Sequence, residues 1–243
     1  MTIGSLFSGI GGLELGLEMC GLGPVRWQCE IDPAARAVLA EHWPGVRRYE
    51  DVRHIDEYAE RVDIICGGFP CQDISDAGTN HTRRGVHGER SGLWREYARV
   101  IREVRPRAVF IENVASLAER GLGKVLSDLS SLGFDAEWGV FCGCYAGAPH
   151  ARERMFVLAW ADGESKSALA QHAEVAGVPA VAGAAGDRRA PPPGVLGVAD
   201  GVPGEMDRLR LLGNSAEPPL VALAWRTLTQ RLEPFRTKGL TEG

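Results

Sequence analysis

Short apolar runs alternate with helix-like segments through the first 160 residues of the chain. Each run is rich in Val, Ile, Leu, Phe or Trp and is bounded by polar or turn-forming residues, which is typical of a buried strand. The predicted strands are Thr2–Phe7, Trp27–Ile31, Val62–Cys66, Ala108–Val114 and Met155–Trp160.

The segments between these runs predict helices. A first helix carries Leu13, Leu15, Leu17 and Met19 and stops near Gly21, and further helices are expected at Pro33–His42 and Leu122–Leu132. The helix with the clearest 3.6-residue apolar spacing carries Leu93, Trp94, Tyr97, Val100, Ile101 and Val104. Strands alternating with helices indicate an α/β fold with a mostly parallel sheet covered on both faces.

The composition changes at about Asp162. From there to Pro203 the chain is rich in Ala, Gly, Val and Pro, with "APPPG" near its centre, and helical spacing returns only for a last helix beginning near Pro218. We therefore predict a main domain at 1–160, a small lobe or linker at 161–205, and a segment at 206–243 that packs back on the main domain.

Charge and cysteine content limit the kinds of binding site and function that the sequence is compatible with. The net charge is −5, yet Arg83–Arg107 carries a local balance of +5, which suits either a phosphate-binding surface or a solvated helix face with Arg–Glu pairs. The six cysteines form no CxxC, so we expect reduced thiols, no metal site and a cytoplasmic protein. No apolar run is long enough to span a membrane.

A glycine loop follows the first predicted strand. Gly9, Gly11 and Gly12 lie between that strand and a helix, where glycines let the backbone approach a ligand. Glu30 ends the second strand, where a carboxylate can hold ribose hydroxyls, and Asp51 is a candidate for an adenine amino group. Turn glycines and surface acids are the alternative, but the order of strand, loop, helix and acid favours an adenosine-type cofactor.

The stretch "GGFPCQDIS" places Cys71 in a Gly-Pro loop as the chain leaves the third strand. A thiol there is a candidate nucleophile, and the alternative is a small buried residue. Glu112 ends the next strand and can emerge at the same sheet edge as a proton donor, or serve as a helix cap. Arg152 and Arg154 precede the last strand and can both face this site, or lie on the surface.

Taken together, these motifs resemble those of the DNA (cytosine-5)-methyltransferases. The resemblance covers about residues 2–160 and 206–225, and it includes a Pro-Cys-Gln loop with Glu-Asn-Val downstream. The motifs that carry it are "LFSGIGGLELG", "EIDP", "GGFPCQDIS", "ENV", "ARERMFVLA" and "LLGNSAEPP".

The resemblance implies a Rossmann-like fold and methyl transfer from S-adenosylmethionine to carbon 5 of cytosine in double-stranded DNA, after the base is flipped out of the stack. It implies a catalytic role for Cys71, Glu112, Arg152 and Arg154. The cofactor residues would be Phe7, Ser8, Gly9, Gly11, Gly12, Glu30, Ile31, Asp51, Gly68, Pro70, Asn214 and Ser215. The DNA contacts would come from Gln72, Ser75, Arg83, Arg84 and Arg90.

The chain departs from the family pattern at three places. His150 stands where Gln is usual, and Glu217, where an apolar residue is commoner, is expected to point to solvent. The gap at 161–205 is short for a target-recognition domain, which suggests a compact enzyme of the phage type with a short recognition sequence. We also expect a restriction-modification enzyme that acts as a monomer.

Other functions remain open from the sequence. The same chemistry on tRNA, a non-catalytic DNA-binding relative and, more distantly, a nicotinamide oxidoreductase are the alternatives. Intact Cys71, Glu112 and Arg154 argue against the non-catalytic relative.

Overall fold

The computed structural model describes residues 1–70, 92–163, 169 and 215–232. Within these residues, seven strands form a single sheet. The strands are β1 Ile3–Leu6, β2 Val25–Cys29, β3 Arg47–Tyr49, β4 Ile64–Gly67, β5 Ala108–Val114, β6 Phe134–Cys142 and β7 Glu153–Ala161.

The strand order is β3-β2-β1-β4-β5-β7-β6. Strands β1 to β5 pair in parallel, whereas β7 is antiparallel to both β5 and β6. The chain runs outward in both directions from β1 and β4, so the carboxyl ends of these two strands form the crevice where ligands bind in open α/β sheets. The predicted mostly parallel α/β sheet is confirmed.

Helices cover both faces of this sheet, as predicted. They are α1 Gly12–Met19, α2 Pro33–His42, α3 Gly92–Val104, α4 Leu117–Arg120, α5 Leu122–Ser131 and α6 Pro218–Arg231. Tyr97 of α3 and Val125 of α5 join one hydrophobic cluster with Ile65 of β4, and Leu17 of α1 and Trp225 of α6 join the other. Successive residues of a strand belong to different clusters, because their side chains point to opposite faces of the sheet.

The sequence prediction missed two strands and overestimated one apolar face. The predicted helix α1 exists, but Leu15 and Met19 are exposed at 36% and 42%, because apolar residues at a spacing of two cannot share one side of a helix. The unpredicted strands are β3 and β6. Strand β6 shows an alternation of apolar and polar residues, "FDAEWGV", that signals a half-exposed strand.

The C-terminal helix α6 packs closely against α1. A side chain at Gly16 would meet Val221 at 2.4 Å, so the two helices approach almost to backbone contact. Pro218 occupies the first turn of α6, where its missing N–H costs nothing. This approach carries the segment just before α6 to the glycine loop.

Three further observations concern the cysteines, metal binding and membrane crossing in the described part. Cys142 and Cys144 are joined by a disulfide, whereas the sequence led us to expect reduced thiols; Cys20, Cys29 and Cys66 are free and buried. Among the described residues no group of three or more His, Cys, Asp or Glu could hold a metal ion. No described helix has the length and apolar character that a membrane crossing requires.

Candidate active site

The glycine loop leaves β1 through an unusual backbone path. Phe7, Gly9 and Gly11 all have positive φ angles, of 54°, 56° and 90°. A side chain at Gly11 would also strike the Trp43 ring at 2.3 Å, so only glycine fits there. Ser8 fixes the turn, because its N–H donates to the carbonyl of Cys29 at 3.0 Å and its carbonyl accepts from Gly11 at 2.9 Å.

Glu30 lies beside this loop at the end of β2. Its Oε2 accepts from the Gly9 N–H at 2.7 Å, and its Oε1 accepts from the Asp32 N–H at 2.8 Å. Each carboxylate oxygen has a second lone pair, so Glu30 can still accept from ribose hydroxyls. Ile31 follows with its side chain 69% exposed, which offers an apolar surface next to the acid.

Asp51 is engaged within its own turn. Its carboxylate accepts from the Arg53 backbone N–H at 2.9 Å and forms an ion pair with the Arg53 guanidinium at 2.7 Å. The hydrogen bond from Arg53 lowers the pKa of Asp51. The predicted contact between Asp51 and an adenine amino group stays a prediction.

The segment before α6 closes the other side of the glycine loop. A Cβ at Gly12 would lie 2.0 Å from the Ala216 carbonyl oxygen and 2.6 Å from Ser215 Oγ. Ser215, predicted as a cofactor residue, is therefore in direct contact with the loop. Its predicted neighbour Asn214 lies outside the described residues.

The chain leaves β4 next to Glu112. A Cβ at Gly68 would be 2.9 Å from Glu112 Oε2 and 3.2 Å from its carbonyl oxygen, so the glycine permits this approach. Asn113 fastens the same segment, since its Nδ2 donates to the Phe69 carbonyl at 2.9 Å. Together Glu112 and Asn113 hold the backbone that runs through Pro70 into the Pro-Cys-Gln loop.

Glu112 is paired with Arg154 from the antiparallel neighbour β7. Arg154 lies opposite Val114 in the register, which puts its side chain on the same face as Glu112, and Arg154 Nε meets Glu112 Oε1 at 2.7 Å. Their side chains are only 16% and 12% exposed. The structure thus brings together the predicted acid and the predicted arginine.

Burial governs the protonation of this pair. Desolvation raises the pKa of Glu112, while the charges of Arg154 and Arg152 and the hydrogen bond from Arg154 oppose that shift. Burial likewise lowers the pKa of Arg154, against the charge of Glu112. A carboxyl group with a raised pKa beside a guanidinium can both hold a proton and accept strong hydrogen bonds, which suits acid chemistry on a ring nitrogen.

The segment that carries Arg152 and Arg154 also contacts the start of α6. The contact joins His150 to Glu217, the two residues that depart from the family pattern. His150 Nε2 lies 3.1 Å from Glu217 Oε1, and the Glu217 side chain is 26% exposed. The expectation that Glu217 points to solvent is therefore wrong, because it meets a partner from a distant part of the chain. Gly143 packs beneath both residues, and its N–H donates to the Arg152 carbonyl at 2.9 Å.

Several predicted residues lie outside the described residues. They are Cys71, Gln72, Ser75, Arg83, Arg84 and Arg90, and their roles stay predictions. Conversely, sequence reasoning overlooked Glu14 and Gln28, which are completely buried beneath the glycine loop. A signal was present for Glu14, which interrupts the apolar spacing of α1.

Comparison with known proteins identifies the family. Residues 1–180 match the family model of the C-5 cytosine-specific DNA methylases. The chain belongs to this family. The resemblance read from the motifs is confirmed.

Curated Type II methyltransferases are similar to part of this chain. The Type II methyltransferase M2.BsuMI of Bacillus subtilis is 38% identical over 167 residues, which cover 65% of this chain and 42% of the relative. The Type II methyltransferase M.Eco47II of Escherichia coli is 34% identical over 166 residues, covering 65% of this chain and 39% of that protein. The chain thus spans about two fifths of the length of these relatives.

A solved structure supports the methylase fold. The S. pombe Dnmt2 methyltransferase superposes with a TM-score of 0.58 at 20% identity, covering 68% of this chain and 52% of that one. At this identity the likeness establishes the fold and leaves the substrate to be argued from the site.

Proposed function

We propose that this protein transfers a methyl group from S-adenosylmethionine to carbon 5 of cytosine in DNA, through a covalent bond between Cys71 and carbon 6 of the base. The observation that carries the proposal is the Glu112–Arg154 pair, which packs against Gly68 and stands beside the backbone leading to Cys71. The family of the chain and its Type II methyltransferase relatives support the same reaction.

The residues that follow β1 and β2 at the carboxyl edge of the sheet fit the cofactor. Gly9 faces open space, since a Cβ there would meet nothing within 4 Å, and the Glu30 carboxylate and the exposed Ile31 lie alongside. Glu30 would accept from the ribose hydroxyls, and Ile31 would cover an adenine ring. When bound, S-adenosylmethionine supplies the methyl group.

Cys71, Glu112 and Arg154 would each have a separate role in the reaction on the base. Carbon 5 of cytosine is a poor nucleophile until the Cys71 thiolate adds to carbon 6. Glu112 would hold a proton at ring nitrogen 3, so that charge developing in the ring is stabilised, and Arg154 would fix the orientation of Glu112. After the methyl group is added at carbon 5, loss of the proton from that carbon expels the Cys71 thiolate and restores the ring.

A base within a duplex cannot present its ring face to Cys71, so the target cytosine has to be flipped out. Gln72, Ser75, Arg83, Arg84 and Arg90 are proposed to contact the DNA, and the region 161–205 is proposed as a reduced target-recognition lobe. We further propose that the enzyme works as a monomer in the cytoplasm of a bacterial cell or of a phage-infected host.

The test is transfer of a tritiated methyl group to DNA by the wild-type chain and by Cys71→Ala. We expect the variant to lose transfer by about 10³-fold or more while it still binds the cofactor, because only the nucleophile is removed. Cys20→Ala is the matched control, since Cys20 is a buried thiol at the end of α1, remote from this chemistry. Full activity in Cys71→Ala would refute the mechanism.

The acceptor is tested in the same assay. DNA and tRNA are offered in parallel, and DNA containing 5-fluorocytosine is used to trap the Cys71 adduct. We expect transfer to DNA and a stable adduct. Methylation of tRNA alone would move the proposal to RNA, and absence of both transfer and adduct would favour a non-catalytic relative. Bisulfite sequencing of DNA from expressing cells would then give the recognition sequence.

A further inference from the structure

Four polar side chains are buried together beneath the glycine loop. Ser5, Glu14 and Gln28 are fully buried and Ser8 is 7% exposed. They come from β1, α1, β2 and the loop itself, so this cluster joins the elements that surround the predicted cofactor site. Apart from Ser8, which is a predicted cofactor residue, none of them has a role in the reaction described above.

The hydrogen bonds of the cluster leave two oxygens unsatisfied. Gln28 Nε2 donates to Glu14 Oε1 at 3.2 Å, and Ser8 Oγ donates to Ser5 Oγ at 2.9 Å. Glu14 Oε2 and Gln28 Oε1 are buried and have no hydrogen-bond partner among the described residues. If Glu14 were ionised, both oxygens could only accept, and a negative charge would be buried with no cation beside it in the described part of the chain. Each of these is a costly arrangement.

A single proton removes both defects. On a neutral carboxylic acid, Glu14 Oε2 becomes a donor, and the amide that donates to Glu14 Oε1 presents an unpartnered acceptor oxygen of its own. An acid and a primary amide can then join through two hydrogen bonds, one in each direction.

We propose that Glu14 is held as a neutral acid and pairs with the Gln28 amide through two hydrogen bonds, which makes Glu14 a positioning residue for the cofactor loop. The electrostatics agree. Burial raises the pKa of Glu14, and this effect outweighs the lowering effect of the nearby polar groups, which are the Ser5 hydroxyl, the Glu14 backbone, the Gln28 amide and the Ser8 hydroxyl. The titratable group facing it from β4 is the Cys66 thiol, and the charge of an ionised Glu14 would raise the pKa of Cys66, so neither group favours ionisation of the other.

The position of the pair explains what it would do. Glu14 stands in the first turn of α1, directly after the glycine loop, and Gln28 lies two residues before Glu30. Glu30 already holds Gly9 from the open side at 2.7 Å. The Glu14–Gln28 pair ties α1 to β2 from beneath, so the loop and the ribose-binding acid cannot move independently. The cofactor role of the loop in this inference rests on the proposed function.

The test compares Glu14→Gln with Glu14→Leu in the full chain. Glutamine is neutral, has the same shape and can make both hydrogen bonds, whereas leucine can make neither. We expect the dissociation constant for S-adenosylhomocysteine, measured by calorimetry, to stay within about twofold of wild type in Glu14→Gln and to rise about tenfold or more in Glu14→Leu. Turnover at saturating cofactor should change little in either variant, because a positioning effect on the loop is felt in binding.

Two readouts do not depend on activity. The infrared difference spectrum between wild type and Glu14→Gln at neutral pH should contain the carbonyl stretch of a protonated carboxyl group. The pH dependence of stability gives the second. The folded-state pKa of Glu14 lies above its unfolded value, so the contribution of this group is fully present below the unfolded pKa and is lost as the pH rises through the folded pKa. Glu14→Gln should therefore flatten the decline of Tm with rising pH.

Controls keep the outcomes distinct. Glu18→Gln removes another acid of α1, which accepts from Trp43 Nε1, and should leave cofactor affinity unchanged. If Glu14→Leu does not fold, Gln28→Met replaces it, since it removes the amide partner with little change of volume. Absence of the carboxyl band, or equal loss of affinity in Glu14→Gln and Glu14→Leu, would overturn the inference. A chain that binds cofactor as expected but methylates nothing would instead refute the proposed function.

Discussion

Two glutamates lie deep at the carboxyl edge of the sheet, and their surroundings are opposite. Glu14 is fully buried against the amide of Gln28 and two serine hydroxyls. Glu112 is 12% exposed, and the Arg154 guanidinium lies 2.7 Å away with Arg152 also acting on it. Burial raises the pKa of both carboxyl groups. Among the described residues, only Glu112 has basic neighbours, and their charges oppose the rise in its pKa.

The difference follows the construction of the sheet. Glu14 sits behind the parallel strands β1 and β2, where backbone hydrogen bonds fix a loop and a neutral acid suffices to hold it. Glu112 sits where antiparallel β7 delivers an arginine beside β5. At Glu14, the hydrogen-bonding groups are used within the protein and none is left for a ligand. At Glu112, a carboxyl group that can hold a proton or accept a hydrogen bond remains at the edge of the sheet, where a base could bind.

The comparison is tested most strongly by making the same substitution at both sites. Glu112→Gln keeps the shape but removes the acid, and general acid catalysis contributes about 10²–10⁴-fold in rate, so we expect methyl transfer to fall by that factor. Glu14→Gln should leave the rate close to wild type. The measurement is kcat for methyl transfer to DNA at saturating cofactor.

Cofactor binding separates loss of chemistry from loss of fold. Since Glu112 lies at the end proposed to bind the base, its variant should bind S-adenosylhomocysteine with nearly unchanged affinity, although removal of one partner of a buried ion pair lowers stability. Equal activity in the two variants would show that the contrast between the two glutamates has no catalytic meaning.

The sequence was sufficient where local pattern and motif agree. Strand β5 and helix α2 have the predicted bounds, because each is a compact run with clear ends. Glu112 and Arg154 were both expected to face one site, but the antiparallel direction of β7, which brings the start of that strand to the end of β5, was not predicted. By contrast, β6 was missed although its residues alternate, because the strand predictions rested on continuous apolar runs and β6 contains none before Val140.

Long-range polar partners were beyond reach of the sequence. His150 and Glu217 are 67 positions apart, and nothing local to either residue indicates the other. Glu14 and Gln28 belong to different elements, and only their shared burial reveals them as a pair. Apolar spacing predicts which face is buried, but the partner of a buried polar group depends on the packing of whole elements.

The proposed cofactor end can be disturbed alone by Gly12→Ala. The new Cβ would lie 2.0 Å from the Ala216 carbonyl oxygen, so backbone must shift, at a cost of about 1–3 kcal/mol in the free energy of unfolding. We expect a lower Tm and weaker cofactor binding, with the Glu112–Arg154 end intact.

The matched control for that change is Gly123→Ala. Gly123 lies in α5 with nothing within 4 Å of a Cβ, and replacing glycine by alanine in a helix stabilises by about 0.5–1 kcal/mol. Thermal unfolding of the two variants should therefore shift in opposite directions. Equal shifts would mean that the C-terminal segment does not press on the glycine loop.

The smallest expected effect concerns the contact between His150, which precedes Arg152 and Arg154, and Glu217, which precedes α6. The His150–Glu217 pair is partly exposed, at 46% and 26%, and pairs of this kind contribute about 0.2–1 kcal/mol. A cycle of His150→Gln, Glu217→Gln and the double variant, followed by urea unfolding, should give a coupling free energy in that range. Where His150 is protonated, high salt should reduce this coupling, because solvent-accessible charges are screened. A coupling of zero would mean that the contact between His150 and Glu217 does not help to hold the segment that carries Arg152 and Arg154.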